Sequence, residues 1–159
     1  DSWSSYMFVK DNYKHTYTEK SSRGHDHIAY GASSFGKFGN VVYQNSNIVK
    51  LYKEKVANGE VPISRSYALS AKDEMIREIL LCTKLFSYTS DEFEVKYGFN
   101  YIDLIKDAVV KLEREDYIAI GERGIELTQK GTVFGDYVGM ALASSLKNTL
   151  ALDNISFTY

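Results

Sequence analysis

Two patterns of apolar and polar positions meet near Ser70. Downstream of it, apolar residues recur every three or four positions. Met75, Ile76, Ile79, Leu80, Thr83 and Phe86 form one stripe, and Ser70-Ala-Lys-Asp73 ahead of them reads as a capping box with Asp in place of Glu. Ser90-Asp-Glu opens a short helix that carries Phe93 and Val95 and closes at Gly98. A third helix, from about Tyr101 to Glu115, puts Ile102, Ile105, Val109 and Leu112 on one face. The run YIAIGERGIELT predicts a hairpin, with Ile118 and Ile120 on one strand and Ile125 and Leu127 on the other, around Gly121 to Gly124. Thr128 caps a final helix bearing Val133, Tyr137, Val138 and Ala141, and the periodicity fades into a tail after about Lys147.

Upstream of Ser70 the pattern is short-range and broken by glycine. His27 to Ser34 (HIAYGASS) predicts a buried strand. Gly31, Gly36 and Gly39 break it into turns, and Asn40 to Tyr43 returns as a second strand. Ser46 or Asn47 caps a helix with Ile48, Val49, Tyr52 and Val56 at helical spacing, and Asn58-Gly59 ends it. Helix, short helix, helix, two-stranded wing and helix, in residues 70–147, is the order of a winged-helix domain. The chain therefore reads as α+β, with a strand-and-turn region in residues 1–69, a winged-helix-like domain in 70–147 and a tail in 148–159.

Composition narrows the function. With 159 residues and 44% hydrophobic content the chain can build a real core. The net charge of −2 supplies no global basic field for nucleic acid. The third helix, where a winged helix would meet DNA, is itself acidic: Lys106, Lys111 and Arg114 stand against Asp103, Asp107, Glu113, Glu115 and Asp116. Arg123 in the wing is balanced by Glu122 and Glu126. This domain is expected to serve protein or intramolecular contacts, with no nucleic acid and no membrane partner. No apolar run approaches the roughly 18 residues of a membrane span, and a soluble, reducing, cytoplasmic setting fits. The one cysteine, Cys82, builds neither a disulfide framework nor a cysteine-ligated cluster. Tyrosine is plentiful, 13 against one proline, with Tyr6, Tyr13, Tyr17, Tyr30, Tyr43 and Tyr52 early in the chain. Such rings either cover an incomplete core or form a surface for another domain or a flat ligand. The chain begins at Asp1 rather than Met, as a fragment or a processed product would.

Three stretches carry candidate chemistry. In Gly24-His-Asp-His27, two histidines at i and i+2 share a strand face and make a partial zinc site, with His15 the remaining histidine; a surface turn is the plainer reading. The glycines of GASSFGKFG match neither G-x-G-x-x-G nor the P-loop, since no Lys-Ser/Thr follows the last glycine. Backbone amides in such a turn still approach a ligand closely. Asp73 and Arg77 lie four apart on a helix and pair across a turn, either as a surface ion pair or as a rigid clamp for a carboxylate.

In sequence order these residues form a recognisable set: Asp26-His-Ile-Ala-Tyr-Gly31-Ala-Ser33, the glycine-broken turn, Tyr43-Gln44-Asn45, Gly59, Leu69-Ser70, the Asp73/Arg77 helix, and Leu127-Thr-Gln-Lys-Gly131. They resemble the C-terminal part of the oxygen-independent coproporphyrinogen III oxidase family, radical S-adenosylmethionine enzymes of anaerobic haem synthesis, over roughly residues 5 to 140. The superfamily also includes a haem chaperone and haem-degrading enzymes. The resemblance implies that residues 1–69 are the end of the catalytic barrel and a connecting helix. By position, Gly31, Ala32, Ser33, Ser34 and Phe35 would line the S-adenosylmethionine side, largely through backbone. Tyr43, Gln44 and Asn45 would stand at the edge of the substrate cavity, and Arg77 would face the propionates of a tetrapyrrole.

The sequence departs from the family twice. Ala29 stands where the family has the first glycine of its G-x-G, and the CxxxCxxC that holds a four-iron, four-sulfur cluster is nowhere in the chain. The chain alone is therefore not expected to be the catalyst or to hold either cofactor. It is either the C-terminal part of a longer enzyme whose barrel is its partner, or a stand-alone porphyrin- or haem-binding module. A winged-helix DNA regulator is a weaker third reading.

Overall fold

The computed structural model describes residues 2–4, 7–11, 13–122 and 124–152. Asp1, Tyr6, Arg123 and residues 153–159, which entered the reading above, lie outside them. The chain divides into two compact units. One is residues 24–74; the other joins the first 23 residues to Met75 and beyond.

The discontinuous unit begins with two short antiparallel strands, β1 (Ser2–Ser4) and β2 (Met7–Phe8), and helix α1 (Thr16–Ser22). His15 caps α1, its ring nitrogen accepting from the Thr18 N–H at 3.3 Å.

The 24–74 unit is a three-stranded antiparallel sheet with a helix. Its strands are β3 (Phe35–Phe38) and β4 (Val41–Asn45), then, after helix α2 (Val49–Ala57), β5 (Ile63–Ala68), in the order β3-β4-β5. Here the structure corrects the sequence reading. Residues 27–34 form no strand beyond one bridge from His27 to Lys37. Ile28 and Tyr30 are exposed, so no burial holds that segment flat. Gly36, expected to break the chain, sits inside β3 because the ring of its cross-strand partner Tyr43 lies where a Cβ would stand. Strand β5 has exposed residues at five of its six positions and left no apolar alternation to find. Helix α2 ends as expected, with Asn58 at the cap and Gly59 at φ +73°.

Helix α3 (Ala71–Cys82) opens with the expected capping box. The Ser70 Oγ accepts from the Asp73 N–H at 3.2 Å, and the Asp73 carboxylate accepts from the Ser70 N–H at 3.1 Å. After a short 3-10 turn, Thr83–Leu85, the remaining elements are β6 (Ser87–Thr89), α4 (Ser90–Tyr97), α5 (Tyr101–Leu104), α6 (Lys106–Arg114), β7 (Ile118–Gly121), β8 (Gly124–Leu127), α7 (Gln129–Val133) and α8 (Gly135–Leu152). The expected hairpin is β7-β8, and β6 joins it as an unforeseen third strand in the order β6-β8-β7. The third helix breaks at Ile105 into α5 and α6. Helix α8 runs to Leu152, past the point where the pattern fades.

The core of this unit is Met75, Ile79, Phe93, Tyr101, Ile105, Val109, Leu112, Ile118, Ile125, Val138, Leu142 and Leu146, all buried. Phe93 is its aromatic hub, against Tyr97, Phe99 and Tyr101. Val95 and Val133, assigned to apolar faces, are instead exposed. The LTQKG residues seat α7 on the preceding turn. Thr128 accepts from the Gly131 N–H at 3.0 Å and donates to the Asp116 carbonyl at 2.7 Å, while Lys130 donates to the Glu115 carbonyl and covers the Tyr117 ring. A Cβ on Gly131 would collide with the Tyr117 carbonyl oxygen, so any side chain there would force the backbone to shift. No described helix is long and apolar enough to cross a membrane.

Candidate functional site: a braced loop and a sheet face

The residues singled out between Gly31 and Asn45 converge within the 24–74 unit. Residues 29–34 form an irregular loop that turns through Gly31 at φ +96° and Ser33 at φ +64°. Ala29 lies outside these left-handed positions, so its backbone makes no demand for glycine.

Three consecutive side chains of β4 brace the loop. The Tyr43 hydroxyl accepts from the Ala29 N–H at 3.1 Å. The Gln44 amide donates to the Ser33 carbonyl at 3.0 Å. The Asn45 amide donates to the Ala29 and Gly31 carbonyls at 3.1 and 3.2 Å. Asn45 is 2% exposed, so its side-chain N–H groups must be satisfied internally, and the loop carbonyls satisfy them. Ser34 closes the turn by donating to the Gly31 carbonyl at 2.6 Å. A fourth brace, Tyr52 on α2, accepts from the Gly31 N–H at 3.0 Å. Sequence reasoning placed Tyr52 only on a helix face.

Alternation along the strands then sorts side chains by face. Phe35 pairs with Gln44 and Gln44 with Arg65; Lys37 pairs with Val42 and Val42 with Tyr67. These residues share one face of the sheet. A pocket of about 160 Å³ opens on it, with Phe35, Val42, Gln44, Arg65 and Tyr67 among its lining residues. Arg65 is oriented by donating from Nε to the Gln44 Oε1 at 2.7 Å. Lys37, buried beside this group, is neutralised by Glu74 at 3.2 Å and Asp26 at 3.6 Å. Arg65 escaped the sequence reading because only the β4–β5 register brings it beside Gln44.

The other candidates have structural employment. Asp26 accepts from the Gly39 N–H at 3.0 and 3.1 Å and fixes the β3–β4 turn. His25 and His27 are linked through the His27 ring and the His25 carbonyl. Among the described residues no group of three His, Cys, Asp or Glu side chains could hold a metal ion. The Asp73 carboxyl is held below its usual range by the Ser70 hydroxyl and then by the Ser70 amide, which makes it a cap. Arg77 lies half-buried on α3, in the unit that resumes at Met75. Cys82 is buried, its thiol donating to the Ser22 carbonyl at 3.3 Å, and burial pushes its pKa far up. A four-iron cluster needs several thiolates, so the residues of this chain do not fit one.

The chain matches no family model. It is 25% identical over 118 residues to the oxygen-independent coproporphyrinogen III oxidase of Pseudomonas aeruginosa, a match that takes in 70% of the chain and 25% of that enzyme. Its fold is similar to that of coproporphyrinogen III oxidase (HemN) from Escherichia coli, a radical SAM enzyme, with a TM-score of 0.60 and 20% identity, over 76% of the chain and 29% of the enzyme. At that identity the second likeness is one of fold. The chain thus spans about a quarter of the length of the curated relative it matches. By sequence and by fold it resembles one enzyme, oxygen-independent coproporphyrinogen III oxidase, over part of that enzyme's length.

Proposed function

We propose that the chain is the C-terminal portion of an oxygen-independent coproporphyrinogen III oxidase-like radical S-adenosylmethionine protein. The observation that carries this reading is the convergence of two different comparisons, one of sequence and one of fold, on the same enzyme at a quarter of its length. In this reading residues 1–69 end the catalytic barrel and residues 70–147 form a winged-helix-like domain that helps enclose the tetrapyrrole. The rest of the protein holds the iron–sulfur cluster and carries out the oxidative decarboxylation of propionate side chains, in the cytoplasm. Gly31 to Phe35 line the S-adenosylmethionine side. Tyr43, Gln44 and Asn45 act on the substrate cavity's edge by holding that loop in shape. Arg77 faces propionate groups.

The 24–74 unit supports the reading from a second direction. Ile28, Tyr30, Phe35, Phe38, Val49 and Val61 are all more than half exposed, as expected of a surface made to be covered. Sequencing the encoding gene upstream of the Asp1 codon tests the proposal. An in-frame CxxxCxxC is the expected result. A start codon immediately before Asp1 would overturn it and leave a self-standing porphyrin binder.

A further inference from the structure

The sheet-face pocket of the 24–74 unit is bordered by Arg65, a cation that the fold orients at its rim. Arg65 is tied through Nε to Gln44, and Gln44 is tied in turn to the Ser33 carbonyl, so the guanidinium is positioned by two linked hydrogen bonds. Among the described residues no carboxylate pairs with it. Lys37 on the same face provides the contrast, since two carboxylates hold its charge. Phe35 and Tyr67 rise beside Arg65 and are 58% and 61% exposed. The lining between them is almost wholly apolar.

An apolar floor with exposed rings favours the flat face of an unsaturated ring. An oriented guanidinium at the rim, whose other N–H groups meet no acceptor among the described residues, favours a carboxylate, which it binds through two parallel hydrogen bonds. The volume of about 160 Å³ matches that of a cavity that takes a single six-membered ring, about 150 Å³, and excludes a whole macrocycle. We propose that the pocket between Phe35 and Tyr67 binds one ring edge of a planar carboxylic acid, with Arg65 clamping the carboxylate at the pocket's rim. Resting on the reading above, that ligand is one propionate-bearing pyrrole of a tetrapyrrole, whose other rings extend past the pocket. Gln44 is a positioning residue that aims the fork.

The test is a titration of the purified chain with coproporphyrin III and, separately, with 1-pyrenebutyrate and S-adenosylmethionine, following porphyrin absorption, pyrene fluorescence and calorimetric heat. Arg65 is exposed, so R65Q and R65K should fold as the parent does, which circular dichroism verifies. Coproporphyrin III should bind the parent chain, R65Q should weaken it by about tenfold or more, and R65K should fall between. Lys111→Gln, an exposed change on α6, should leave binding unaltered. Pyrenebutyrate binding that depends on Arg65, with no binding of coproporphyrin III, would uphold the carboxylate site and count against the tetrapyrrole reading. Binding of both ring probes unchanged in R65Q, or no binding of either by the parent chain, would overturn the proposal. So would loss in R65Q of S-adenosylmethionine binding alone.

Discussion

The two units of this chain are held together by different forces. In residues 75–152 the buried side chains are mostly apolar, Met75, Ile79, Phe93, Ile105, Leu112 and Leu142 among them, with Glu78, Thr83 and Ser90 the buried polar ones among the described residues. In residues 24–74 the buried side chains are Lys37, Asn45, Ser46, Leu69 and Ala71. Helix α2 buries none of its residues. That unit depends on hydrogen bonds from Tyr43, Gln44, Asn45 and Tyr52 into one loop, and on a lysine held by two carboxylates. Buried apolar area generates stability of its own, whereas net hydrogen-bond contributions are small and mainly select one conformation. The 24–74 unit is therefore a shaped surface more than a self-sufficient core.

The comparison can be broken most forcefully at Phe93. Phe93→Ala should cost about 3–5 kcal/mol in urea unfolding, with loss of the Phe99 and Tyr101 ring contacts. A cost under 1 kcal/mol would show that the core of the second unit is not what stabilises it. Gly131→Ala should cost about 1–3 kcal/mol by driving a methyl into the Tyr117 carbonyl, and thermal melting reads it directly.

Asn45→Ala tests the other unit. It leaves the Ala29 and Gly31 carbonyls without their donor, a loss of about 1–3 kcal/mol. The expected signature is faster amide hydrogen exchange confined to residues 29–34 and their neighbours, with the amides around Phe93 unchanged. Uniform acceleration across both units would mean that they unfold as one.

The smallest effect concerns the α3 cap. Ser70→Ala should cost about 1 kcal/mol. The Asp73 carboxyl is depressed in the folded chain by its Ser70 hydrogen bonds. Its contribution is thus fully present above the unfolded value, near about pH 4, and is lost as the pH falls through the lower folded value. Stability measured from pH 5 downward should show this loss in the parent chain, and much less of it in S70A.

The same contrast explains what the sequence revealed. Helices α3, α6 and α8 left a helical period because each lays a stripe on the core: Met75 and Ile79, Val109 and Leu112, Val138 and Leu142. Caps at Ser70, Thr128 and Gly59 were legible because one residue type does the work at one position. Upstream, burial imposed no alternation, so HIAYGASS looked like a strand and ISRSYA like nothing. Gly36 misled because its reason for being glycine is Tyr43, seven residues away and across a turn. The Tyr43-Gln44-Asn45 run stood out in sequence, yet its role as a brace required knowing where the loop carbonyls point. Arg65 became a candidate only through strand register, which neither composition nor spacing encodes.

The discontinuity of the second unit bears on synthesis. Cys82 bonds to the Ser22 carbonyl and Arg23 pairs with Glu92, each across sixty or more residues of chain. A ribosome delivers Thr16 to Arg23 long before their partners exist, and the intervening stretch must emerge with its apolar side chains in water. Closing so long a loop is slow relative to local helix formation. Nascent chains stalled before Cys82 should therefore present α1 as an unanchored segment, open to chaperones until the remainder arrives.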